Sequence, residues 1–183
     1  MKLQIMAQFA AFLRGVNVGG VNLKMAEVAT ALTTAGFAQV RTILASGNVL
    51  LQSSLGVAAV RKKAEAALRQ QFGYQAWVLV YDIDTVRTIF EAYPFEREVD
   101  GYQSYVTFVA DEAALHELAA LADNNTSPDQ KISRGDGVIY WQVPKGSTLD
   151  STIGKTMGNP RYKSSTTTRN LRTLAKVLQA RPG

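Results

Sequence analysis

The chain has 183 residues, 46% of them hydrophobic, and carries a formal net charge of +5. It has no cysteine and one histidine, which excludes disulfide scaffolds, thiolate metal sites, cysteine nucleophiles and the common zinc ligand sets. No stretch reaches the roughly 18 apolar residues of a membrane helix. Gln4 and Gln8 break an N-terminal run that would otherwise resemble a signal peptide, so a cytoplasmic protein without membrane contact is the expectation.

Ala7 to Leu13 is an apolar run of strand length. Asn22 stands where it can cap a helix from about Lys24 to Ala35, with Met25, Val28, Ala29 and Leu32 on one face and Gly36 as the stop. Val40–Leu44 and Val49–Gln52 read as a hairpin around Ser46-Gly47-Asn48. Ser54 then caps a helix to Phe72, with Val57, Val60, Ala64 and Leu68 inward and Gly73 closing it; Trp77–Tyr81 is the fourth strand. This βαββαβ order is that of a ferredoxin-like unit.

The second half repeats the order less clearly. A linking helix capped by Asp82 or Asp84 carries Val86, Ile89 and Phe90, and Tyr93-Pro94 ends it. Gln103–Val109 alternates as a half-buried strand, and Asp111 opens a helix through Leu115 and Leu118. Lys131–Ser133 and Val138–Val143 form a hairpin around Arg134 to Gly137. A helix near Leu149–Met157, a strand around Tyr162–Ser165 and a last helix from about Arg169 to Gln179 follow. The expected fold class is α+β: two packed ferredoxin-like βαββαβ-type subdomains related by internal duplication, plus a C-terminal helix. The first would span residues 1–81. The second, with the linking and terminal helices, would span 82–183.

Charge is unevenly placed: +6 over residues 1–80, −8 over 81–125 and +7 over 126–183. The two basic segments either meet an anionic partner together or pair with the acidic middle inside the fold. His116 lies on a predicted helix with no recognisable partner set and reads as an ordinary helical residue. Glu96, Glu98 and Asp100 read as a charged surface loop rather than an acid–base pair.

Three segments stand out. Leu13-Arg14-Gly15-Val16-Asn17-Val18-Gly19-Gly20 lies between the first strand and first helix, where backbone N–H groups can face an anion. There Gly15, Gly19 and Gly20 allow close approach, Arg14 offers a planar fork, and Asn17 can orient a polar group. Lys24, in the first helical turn, opposes the macrodipole unless an anion or carboxylate answers it. The second segment, Arg41 to Val49, contributes Arg41, Ser46, Gly47 and Asn48 as candidates, although its turn is chemically ordinary. The third, Ser164 to Asn170, places hydroxyls, Arg169 and Asn170 at the expected start of the last helix, where a plain Thr168 or Asn170 cap also accounts for them.

Leu13–Gly20, Arg41–Val49 and Thr167–Leu178 together resemble the motifs of the bacterial family catalogued as domain of unknown function 1697. The resemblance spans nearly the whole chain. It departs at Leu171, where the family usually carries tryptophan, and across residues 147–162, which lack an expected serine–lysine pair. It implies a duplicated ferredoxin-like architecture and brings no established activity.

Two other motifs fail on chemistry. Gly154-Lys155-Thr156 ends like a phosphate-binding loop, but Leu149 occupies the position of its first glycine and no apolar strand leads in. An RNA-recognition module needs sheet aromatics, and Asn48 to Gln52 supplies none. The leading expectation is therefore binding of an anionic ligand, a nucleotide-like molecule or nucleic acid, with no cofactor and no metal. An enzyme acting on a phosphorylated or carboxylated small molecule and a homodimeric interaction module are the alternatives.

Overall fold

Side-chain alternation sets the first strand, β1 (Ala7–Leu13). Phe9, Ala11 and Leu13 share one face of it and Ala10 and Phe12 the other, and all five are buried. The computed structural model describes residues 5–17 and 21–181. They divide into two units, one holding residues 1–87 and 176–183 and the other residues 88–175.

In the first unit, β1 is an inner strand of an antiparallel sheet ordered β2-β3-β1-β4, with β2 (Ala38–Ile43), β3 (Asn48–Ser53) and β4 (Val78–Asp82). Phe9, Ala11 and Leu13 join Val49, Leu51, Val78 and Val80 in a core covered by two helices. Helix α1 (Met25–Thr34) contributes Val28 and Leu32, and α2 (Val57–Phe72) contributes Val60, Ala64 and Leu68 at helical spacing. Gly73 closes α2 at φ +67°, in the left-handed region that favours glycine.

After α3 (Ile83–Glu91) the second unit repeats the plan as β6-β7-β5-β8. Its strands are β5 (Tyr102–Val109), β6 (Lys131–Arg134), β7 (Val138–Pro144) and β8 (Thr166–Asn170). Helix α4 (Glu112–Asp123) begins at the expected Asp111, whose carboxylate accepts from the Ala114 N–H at 3.1 Å. Trp141 anchors the core, stacked on Tyr105 with centroids 4.4 Å apart and donating to Thr107 Oγ1 at 2.9 Å. Helices α5 (Thr152–Met157) and α6 (Leu171–Gln179) complete the order. Two four-stranded antiparallel sheets with flanking helices and a terminal helix thus form the α+β, duplicated arrangement expected.

Local details depart from expectation. Lys24, not Asn22, is the N-cap of α1, and Gly56, not Ser54, that of α2; both caps use backbone alone. Val57 is 44% exposed rather than inward. The strand expected at 162–165 forms at β8 instead, preceded by a short 3-10 turn (Pro160–Tyr162). The run Thr166-Thr167-Thr168 explains the shift: β-branched side chains favour the pleated backbone, and Thr168 bonds Thr107 across the sheet at 2.7 Å. Helix α5 also starts later than Leu149, at Ser151, whose hydroxyl accepts from the Gly154 N–H.

Gly154 belongs to packing, since a Cβ there would strike the Thr148 carbonyl and come within 2.9 Å of Ser151 Oγ. Gly154→Ala is therefore expected to destabilise the protein by about 1–3 kcal/mol, read as a lower urea midpoint at an unchanged slope.

Candidate functional site

The glycine-rich segment and the β2–β3 hairpin interlock. Leu13 N–H donates to the Gly47 carbonyl at 2.8 Å. Gly47 holds φ +86°, and a Cβ on it would lie 2.8 Å from both Leu13 Cβ and Val16 Cγ2. Glycine is thus required twice over, for conformation and for space. Gly15, at φ +70°, has open space around it, so only its conformation calls for glycine.

Asn17, also left-handed at φ +57°, sews the loop shut. Its amide nitrogen donates to Ala45 O (2.6 Å) and Leu23 O (3.1 Å), and its amide oxygen accepts from Leu23 N–H (2.9 Å). Its backbone N–H donates to Val21 O at 2.7 Å. Asn48 is fully buried, donating to Ile43 O at 2.8 Å and Ser46 Oγ at 2.9 Å. Both asparagines therefore hold backbone rather than face solvent. Gly19 and Gly20 lie outside the described residues.

Arg14, half-buried, follows Leu13 out of this clasp. Leu13 pairs with Val78 in the β1–β4 ladder, so Arg14 stands opposite Trp77, and its N–H donates to the Trp77 carbonyl at 3.0 Å. Opposed residues of an antiparallel pair project to one face, with Cβ atoms about 5 Å apart. Burial lowers the Arg14 pKa from the ordinary guanidinium value, and the group stays charged at physiological pH.

Two α2 residues close the free edge of β4 beside it. Glu65 Oε2 accepts from Val78 N–H at 2.9 Å, and Arg69 donates through Nε and Nη2 to Ala76 O at 3.2 and 2.9 Å. The Arg69 guanidinium thereby lies over the Trp77 indole, 4.8 Å from the ring centroid. Sequence reasoning missed Trp77 and Arg69. The signal for Trp77 was the register of β1 against β4, which no single-strand pattern contains.

The other candidates are placed differently. Ser46 is exposed in the turn next to Gly47. Lys24 is exposed at the start of α1, with Glu27 as the carboxylate of that first turn. Arg41 is exposed on the edge strand β2 and donates to the Arg181 carbonyl at 3.1 Å. Arg169 is not at a helix start. It lies within β8, 6% exposed, with Nη1 donating to Thr167 Oγ1 (2.7 Å) and Thr168 O (2.9 Å). Asn170 caps α6, accepting from Arg172 N–H at 2.9 Å, and donates to Gln103 at 2.8 Å. Both belong to the second unit, so the first two segments come together in one unit and the third lies in the other.

Asn170 lines a small cleft of about 20 Å³ with Arg97, Tyr102 and Gln103, and two larger clefts lie away from the candidate residues. One of about 550 Å³ runs between α1 and α2, and one of about 590 Å³ is lined by α4 and β6 and includes the exposed His116. Neither is lined by the glycine-rich segment. Glu96, Glu98 and Asp100 are exposed. Among the described residues no three His, Asp or Glu side chains are grouped to hold a metal ion.

The clasp gives a stability test. Gly47→Ala and Asn17→Ala are each expected to cost about 1–3 kcal/mol, seen as lowered midpoints in chemical denaturation.

Residues 6–140 match the family model described as a protein of unknown function, DUF1697. That span includes the glycine-rich segment and the hairpin and stops before Thr167–Leu178. Among solved structures, the conserved bacterial protein SP0830 from Streptococcus pneumoniae is similar, with a TM-score of 0.79 and 22% identity over 96% of this chain and 98% of that one. At that identity the likeness is one of fold. No curated protein matches the chain. With most of its length inside the family model, the chain belongs to the DUF1697 family, proteins of unknown function.

Proposed function

We propose that this protein binds a phosphate-bearing anion, nucleotide-like or nucleic acid, at the end of the first sheet where Arg14 stands. The observation that carries this reading is how charge divides in the folded chain. The first unit holds 11 Lys and Arg against 4 Asp and Glu, whereas the second holds 9 against 11. Acid meets base in both units, Glu65 with Arg61 at 3.4 Å in the first and Glu112 with Arg134 at 3.1 Å and Glu117 with Arg161 at 2.6 Å in the second, but only the first has far more base than acid. The basic excess therefore belongs to the unit that carries the glycine-rich segment. Arg14 suits the role because part of its desolvation accompanies folding, and a partly desolvated guanidinium pairs more strongly with an incoming anion. Arg41 and Lys24, both exposed, add to the positive field of the same unit.

The test is thermal stability at low salt with inorganic phosphate, ATP and a twelve-residue oligothymidylate (dT12). Ligand at 100 times its dissociation constant should add about 2.7 kcal/mol, a shift of several degrees. The shift should fade steeply as salt rises if the ligand is a polyanion. Arg14→Ala is expected to abolish the shift with the circular dichroism spectrum unchanged, whereas Arg134→Ala, which removes the same charge from the second unit, should leave it intact. Equal shifts in wild type and Arg14→Ala would overturn the assignment, as would the absence of any shift in the wild type.

A further inference from the structure

Arg69 and Trp77 make a flat, charged surface beside Arg14 that a phosphate site alone does not require. We infer that it is a stacking platform for a nucleobase, and that the ligand is single-stranded nucleic acid. The inference rests on the phosphate reading above and narrows it.

Three features carry it. First, the guanidinium of Arg69 is fixed in plane: two of its nitrogens donate to Ala76 O, and the indole of Trp77 lies 4.8 Å away on one side. Arg69 is nonetheless exposed, so the stack has an open member. Guanidinium planes and aromatic rings are the surfaces on which unpaired bases stack.

Second, the phosphate-reading group is at the right distance. Ala76 and Trp77 offer consecutive carbonyls, which point to opposite sides of a strand, one to Arg69 and the other to the Arg14 N–H. The Arg69 head and the Arg14 backbone are thus on the order of 10 Å apart across β4. The half-buried Arg14 follows Leu13 opposite Trp77, and a gap of about 10 Å is comparable to the span between a base and the phosphates of neighbouring nucleotides.

Third, the platform is open. It forms no part of the clefts at α1–α2 or α4–β6, and an open surface with one principal phosphate contact suits a strand better than a mononucleotide. A strand adds further phosphates that meet the remaining positive charge of the unit, with release of counterions. A duplex keeps its base faces covered and could not use the plane.

The sheet faces themselves do not serve. Phe9 and Phe12 of β1 are 3% and 0% exposed, so neither offers a face to a base.

The experiment is fluorescence anisotropy with end-labelled dT12 and an abasic twelve-residue strand of equal phosphate count, at low salt. Arg69→Lys keeps the charge and removes the plane. It is expected to weaken dT12 by roughly 5- to 150-fold and to leave the abasic strand unchanged. Trp77→Leu should do the same, Trp77→Phe should restore most of the affinity, and Arg14→Ala should weaken both strands. Circular dichroism on each variant separates loss of binding from loss of fold. If Arg69→Lys and Trp77→Leu remain folded and bind dT12 as the wild type does, or lose both strands equally, the stacking assignment falls while the phosphate reading stands. If the wild type binds neither strand, both fall. Competition by thymidine monophosphate at the same concentration as unlabelled dT12 would overturn the strand in favour of a free nucleotide.

Discussion

Gly47 pressed against Leu13 and Val16 is the contact on which the loop end of the first sheet depends. A residue with a Cβ could neither hold φ +86° without strain nor leave room for the two apolar side chains. With glycine there, the Leu13 N–H reaches the Gly47 carbonyl, and the β1–β3 ladder runs to its last pairs. Asn17 can then bridge Ala45 and Leu23, tying the hairpin to the entry of α1. On the other side of β1 the ladder to β4 continues one residue past Leu13, which sets Arg14 opposite Trp77. The position of Arg14 thus goes with a packing requirement at the residue before it, made by the neighbouring hairpin.

Much of the fold was legible because it is governed by local patterning. The apolar run gave β1 its bounds, Asp111 announced α4, and Gly73 marked the end of α2. The failures share a cause. Asn22 and Ser54 are good caps by type, yet the start of α1 is set by the Asn17–Leu23 bonds and that of α2 by the turn in which Ser53 accepts from Leu55 N–H. The strand placed at 162–165 lay four residues too early. The hydroxyl-rich run read equally as a helix cap, and only pairing with β5 decides for a strand. Tertiary pairing overrides local preference where the local signals are balanced.

The candidate site was legible in a different proportion. The segments were found, but the roles within them were not. Asparagine and glycine beside arginine look like an anion cradle, while here Asn17, Gly47 and Asn48 are consumed by backbone bonds and close packing. Arg169 illustrates the converse. A charge drawn at a helix start by sequence turns inward when its backbone is a strand, and is satisfied by Thr167 and Thr168. Summed charge along the chain was equally ambiguous. The two basic segments look alike in sequence, and each meets acid within its own unit, yet only the first unit is left with a basic excess.

Edge protection and recognition need not compete for residues. An exposed edge strand is a liability unless its free N–H and C=O groups are answered, and α2 answers those of Val78 and Ala76 with Glu65 and Arg69, one helical turn apart. Only part of the Arg69 guanidinium is used in this way. Its bonds to the Ala76 carbonyl hold it over the indole, and the residue stays exposed. A group immobilised for a structural reason loses little further entropy on meeting a ligand. A rigid, charged, planar surface therefore arises at this edge without a strained loop or a deep cleft, and that geometry favours binding an extended partner over enclosing a small substrate.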